Sequence, residues 1–83
     1  MDFKQYLINR QSLLNKGKKI GEVSAKQYNN RLENLKRKGI YNGEERLTES
    51  TVEQINDLYA DKTNEYERTI NYYIEFRHYL RNH

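Results

Sequence analysis

Apolar positions at the start of the chain fall at Phe3, Leu7 and Leu13/Leu14, with Tyr6 beside them and Arg10 in the same register. This is the i, i+4, i+7 spacing of one helix face and predicts a helix over about 2–15. Gly17 and Gly21 interrupt the pattern. It resumes as Ala25, Tyr28, Leu32 and Leu35, again one face of a helix. Ser24 and Gln27 form a capping-box pattern, so the second helix is expected over about 24–38. Lys36, Arg37 and Lys38 complement the negative end of its dipole, and Gly39 suits the left-handed position beyond it. Val52, Ile55 and Tyr59, with Leu58 adjacent, predict a third helix over about 51–60, capped by Ser50 with Glu53. After a break at Asp61–Asn64, a fourth helix over about 64–81 is traced by Tyr66, Ile70, Tyr73, Ile74, Arg77 and Leu80. Tyr72, Phe76 and Tyr79 widen its apolar face. Tyr41-Asn42-Gly43 reads as a turn between helices, because its flanks do not alternate as hairpin strands would. The pattern as a whole predicts an all-α, compact four-helix domain occupying 1–83.

Composition sharpens this in two places. At 83 residues there is room for one core only, and a chain of this size buries about 60% of its unfolded surface. Eight tyrosines offset the low aliphatic content, and the absence of proline favours uninterrupted helices. Tyr28, Tyr59, Tyr66 and Tyr73 fall at core spacing, while Tyr41 and one of Tyr72 or Tyr79 are expected at the surface. A homodimer through the Tyr-rich fourth helix is one further expectation. With no cysteine there is neither a disulfide framework nor a thiolate metal site, which suits a reducing, cytoplasmic setting. No run approaches the ~18 apolar residues of a membrane span, and MDFKQYLINR lacks the apolar core of a signal peptide.

Catalytic chemistry finds no foothold in the pattern. His78 and His83 are five apart and miss the i, i+4 spacing of helical metal ligands, so no metal site is expected. There is no Gly-x-Ser-x-Gly, no Walker glycine pattern and no dinucleotide fingerprint. No cofactor and no small-molecule substrate are therefore implied, and the chain is not expected to be an enzyme.

Charge is the informative feature. Residues 1–43 hold ten Lys/Arg against three acids, net +7, and residues 44–83 hold five against nine, net −4. Such asymmetry points to a polyanion on one side. Lys16, Lys18 and Lys19 precede the second helix, whose positive end attracts phosphate. Lys26, Asn29, Asn30, Lys36, Arg37 and Lys38 follow along it, and Asn and Arg are side chains that read base edges. These nine residues form the expected double-stranded DNA contact. Arg31 lies nearer the apolar flank. In the acidic half, Glu45, Glu49, Glu53, Asp57 and Asp61 recur every four residues. Most would line one face of the third helix, and they form a candidate protein-partner surface. Like charges at that spacing are mildly destabilising by themselves.

Phe3-x-x-Tyr6-Leu7, followed by Gly21-x-x-Ser24-x-x-x-Tyr28-x-x-x-Leu32-x-x-Leu35, resembles the N-terminal core-binding domain of tyrosine recombinases, the phage integrases. Phe76-Arg77-His78-Tyr79-Leu80 is similar to that family's final-helix motif. Ser24 stands where threonine is usual, Gly21 where serine is usual, and Thr69-Ile70-Asn71 is out of register by one. The resemblance implies a SAM-like bundle that clamps one side of a DNA duplex. The family's catalytic Arg, His and Tyr belong to a separate domain, so it also implies a DNA-binding module without cleavage activity of its own. The alternative is a small phage or mobile-element protein that binds and inhibits or regulates another protein.

Overall fold

The structure, a computed structural model, describes residues 1–82; His83 of the spaced histidine pair lies outside them. The chain is all-α. Its helices are α1 (Phe3–Leu14), α2 (Glu22–Arg37), α3 (Glu49–Leu58) and α4 (Thr63–Asn82). A 3-10 turn, Ala60–Lys62, joins α3 to α4 where the expected break lies. The longest helix, α4, packs against the other three, and α1 also packs against α2. Among the described residues, α3 touches neither α1 nor α2.

The helix ends show which local signals prevailed. α1 begins in a reciprocal capping box: Gln5 N donates to Asp2 Oδ1 at 2.8 Å, and Asp2 N donates to Gln5 Oε1 at 3.0 Å. The capping boxes expected at Ser24 and Ser50 do not form. α2 starts two residues earlier, behind Gly21, and places Ser24 inside its first turn. α3 starts at Glu49 behind Thr48, whose hydroxyl accepts from Thr51 N at 3.2 Å. The later serines lost because each lies within a turn that is already helical. The C-terminus of α2 follows expectation. Gly39 has φ +69°, Ile40 N donates to Leu35 O at 2.9 Å, and Gly39 N donates to Lys36 O at 3.1 Å. Those two bonds define a Schellman motif, and Leu35 and Ile40 are both buried behind it.

The core joins Phe3, Tyr6 and Leu7 of α1 to Ala25, Leu32 and Leu35 of α2, Ile55 of α3, and Tyr66, Ile70 and Phe76 of α4. Aromatic rings knit α1 to α4: Phe3 meets Tyr73 edge-on at 5.4 Å, and Tyr6 meets Phe76 at 5.2 Å. The tyrosines of α4 are thus engaged inside the chain. Three core residues, Ile20, Ile40 and Tyr41, come from connections where periodicity has nothing to say.

Tyr41 is the main correction. Expected at the surface, it is fully buried, edge-on to Tyr73 at 6.1 Å, and its hydroxyl donates to Glu44 O at 2.7 Å. Arg77 closes over the same turn by donating to Gly43 O. Gly43 has φ +96°, and a Cβ there would meet Arg77 Nη1 at 3.2 Å, so glycine is needed both for the turn and for the clasp. Conversely, Leu58 (56% exposed) and Leu80 (49%) lie outside the core although both sit at core spacing. Leu58 is the last residue of α3 and Leu80 lies in the last turn of α4, where neighbours run out.

Burial of Tyr41 is open to measurement. Tyr41→Ala should lose about 3–5 kcal/mol, as large aromatic truncations do, a major part of the ~5–15 kcal/mol typical of a domain. Tyr41→Phe should lose only about 1 kcal/mol, one hydrogen bond. Urea denaturation followed by circular dichroism separates the two outcomes, and equal small losses would contradict the buried placement.

Candidate nucleic-acid interface

The basic connection between α1 and α2 is not a free tether. Asn15 caps α1 in the left-handed region at φ +54°, turning the chain back. Gln11 Nε2 donates to Gly17 O at 3.1 Å, and Ile20 is buried. Gly17 (φ +82°) lies so near Arg10 that a Cβ would stand 2.8 Å from Nη1. Lys16, Lys18 and Lys19 are therefore presented, exposed, from a loop folded against α1.

Arg10 is held from the other side by α4. Its Nε and Nη2 donate to Glu75 Oε2 and Oε1 at 2.7 and 2.9 Å, a bidentate pair, and Tyr6 Oη donates to Oε2 at 2.7 Å. Burial by itself would raise the Glu75 carboxyl. The bonds from Arg10 and Tyr6, with the charges of Arg10 and Lys16, outweigh it and hold Glu75 below its ordinary range. Tyr6 is pushed upward by burial and by the carboxylate it bonds.

From this clamp a band of cations and rings crosses to α2. The Arg10 guanidinium lies 5.0 Å over the Tyr72 ring, Tyr72 meets Tyr28 edge-on at 5.2 Å, and Arg31 lies 5.6 Å over Tyr28. Arg68 interacts with the Tyr28 hydroxyl, which raises its pKa further above the ordinary arginine value. Beside it, Asn64, Glu67, Arg68, Asn71 and Tyr72 line an open cleft of about 350 Å³ on α4. The Arg10 and Arg31 guanidiniums each face an aromatic ring, an arrangement worth about 0.5–1 kcal/mol at exposed sites.

The nine sequence-selected residues do not form one patch. Lys26, Asn30 and Arg37 share the outward stripe of α2 with Glu33, an acid in their midst. Asn29, expected outward, is half-buried. Lys36, Arg37 and Lys38 sit at the far end of α2, whose 16 residues span about 24 Å from the loop. There the Lys36 ammonium lies 4.9 Å over the Tyr73 ring, and Arg37 donates to Asn34 Oδ1. Lys18, Lys19, Lys26 and Lys38 make no ion pair or side-chain hydrogen bond among the described residues. Arg10, Arg31, Arg68, Asn64 and Asn71 come from three helices, so no local stretch of sequence groups them. In the sequence, Arg10 falls in register with the apolar stripe of α1 and Arg31 lies near the apolar flank of α2.

The acidic series also divides. Glu49, Glu53 and Asp57 share the exposed face of α3. Glu45 lies in the preceding loop, where Arg81 Nη1 donates to its carboxylate at 2.8 Å, and Asp61 lies in the 3-10 turn. Arg81 lowers the Glu45 pKa. Among the described residues no group of three or more His, Asp or Glu is placed to hold a metal ion. Among the described residues no helix is long and apolar enough to cross a membrane.

The clamp gives stability two pH limbs. Glu75 is depressed on folding, so its contribution is present above the ordinary 4.5 and lost as pH falls through its folded value. Tyr6 is raised, so its contribution is present below the ordinary 10.0 and lost as pH climbs beyond it. Glu75→Gln should abolish the acid limb and cost about 2 kcal/mol, because a half-buried Arg10 loses its charged partner. Thermal melts at pH 3, 7 and 11 read both effects, and an unchanged acid limb in the variant would assign it to another carboxylate.

No protein-family model, no curated protein and no solved structure matches this chain.

Proposed function

We propose that this chain is a DNA-binding helical module without catalytic residues of its own. The observation that carries the proposal is the band running from the loop lysines through Arg10, Tyr72, Tyr28, Arg31 and Arg68 to the Asn64–Asn71 cleft. Phosphate binding needs cations without protein carboxylates, and Lys18, Lys19 and Lys26 are such cations among the described residues. Base edges are read by Asn and Arg side chains, and α4 presents Asn64, Arg68 and Asn71 exposed along its cleft, with Asn30 exposed on α2. The rings behind the guanidinium groups keep those long side chains ordered before any ligand arrives, which lowers the entropic cost of docking. The resemblance to the core-binding domain of tyrosine recombinases supports the same function.

A second reading, a protein contact through the acidic face of α3, is favoured by one observation. A cleft of about 290 Å³ lined by Leu47, Val52, Glu49 and Glu53 opens there.

Fluorescence anisotropy with labelled duplex DNA tests the leading proposal. Log K should fall by about 0.9 per phosphate neutralised for each tenfold rise in salt. Replacing Lys16, Lys18 and Lys19 together by alanine should weaken binding about tenfold or more near 50 mM salt and flatten that slope by about 2–3. Arg68→Ala with Asn71→Ala should weaken it again while leaving the helical circular dichroism unchanged. Wild-type affinity for DNA in the triple variant would remove the loop from the interface, and no binding by the wild type at low salt would end the proposal.

A further inference from the structure

Among the exposed large apolar side chains, Val23 is the most open, at 73%. It stands in the first turn of α2, one turn before Lys26 and four residues after Lys19, both exposed. The neighbouring acid, Glu22, is already engaged by Lys4 at 3.8 Å. Val23 is thus an exposed apolar knob at the positive end of the α2 dipole, with Lys26 one turn on and Lys19 in the loop just before the helix. On α3 the inverse feature occurs. Leu47 and Val52 line a cleft of about 290 Å³ whose polar walls are Glu49 and Glu53, both exposed and neither in an ion pair among the described residues. That volume lies near the lower limit for small-molecule sites and admits an aliphatic side chain with room to spare. The α3 surface is acidic and the α2 start basic, so knob and cleft match in apolar character and in sign.

We propose that the chain associates head to tail with a second copy of itself. Val23 of one copy seats between Leu47 and Val52 of the next, and Lys19 and Lys26 face Glu49 and Glu53. The two features cannot satisfy each other within one molecule, because α4 separates α2 from α3 and those helices do not touch. The contact joins unlike surfaces, so it does not close on itself by a two-fold axis and repeats into short open chains. It also explains why three carboxylates are kept side by side on α3 without internal cations: their partner is the next copy. The lysines involved overlap those proposed for phosphate, but self-association is measured without nucleic acid and stands or falls independently of it.

Sedimentation equilibrium of the DNA-free protein provides the test. At about 20 mM salt the average mass should rise above the monomer's 10.1 kDa with concentration, and it should return to the monomer value near 1 M, where the Debye length is only ~3 Å. Val23→Asp should be monomeric because it lacks a knob. Glu49→Lys combined with Glu53→Lys should be monomeric because its cleft repels Lys19 and Lys26. Mixed in equal amounts, the two variants should form a dimer and nothing larger, since each supplies the half the other lacks. All three positions are exposed, so far-UV circular dichroism should match wild type and exclude misfolding. A wild type that stays monomeric at low salt, a variant that associates as wild type does, or a folded mixture that stays monomeric would each overturn the proposal.

Discussion

Glu75 accepts three hydrogen bonds from α1, two from the Arg10 fork and one from the Tyr6 hydroxyl. Its neighbours depend on that carboxylate. The carboxylate is half-buried, and a bidentate guanidinium and a buried phenol supply hydrogen bonds in place of the water it loses. The geometry fixes α1 along α4, so that Phe3 and Tyr6 reach Tyr73, Phe76 and Tyr79 at ring distances of 5.2 to 5.9 Å. It also fixes the guanidinium plane, and from that plane two consequences follow. One face of Arg10 stacks over Tyr72, while its Nη1 occupies the space that a side chain at position 17 would need.

The basic loop and the aromatic band are therefore mechanically linked. The loop approaches Arg10 because residue 17 is glycine, and Arg10 is available to the loop because Glu75 has oriented it. Lys16 adds its field to the same carboxylate, so the loop's charge is felt in the core-side clamp. A surface built this way is ordered by the fold and not by its ligand, which suits recognition of a regular polyanion such as duplex DNA. α3, by contrast, packs on α4 and the 3-10 turn and leaves its acidic side exposed.

Much of the fold was legible residue by residue. The four apolar stripes gave four helices with ends correct to within two residues, and Gly39 was read as the α2 terminator from its position alone. The errors have a common cause. Local propensity favours Ser24 and Ser50 as caps and the Tyr41 turn as surface, and in each case a neighbour decides otherwise. Gly21 and Thr48 opened their helices first, and Tyr41 went inward because Tyr73 and the Glu44 carbonyl were there to receive it. The candidate site was less legible. The loop lysines stood out as a run, whereas Arg10, Arg31 and Arg68 are separated by 21 and 37 positions and look like ordinary helix-surface charges.

By itself the sequence determined the periodicities, the glycine and capping signals, and the division of charge between a basic and an acidic half. These are local or additive properties, carried by each residue's own chemistry and spacing. Only the tertiary structure decided which marginal residues became partners: Glu75 with Arg10 and Tyr6, Tyr72 with Tyr28, Gly43 with Arg77. Those pairings join positions 34 to 69 residues apart. They depend on how three helices are rotated about α4, and that rotation is set by the packing of all the core side chains at once.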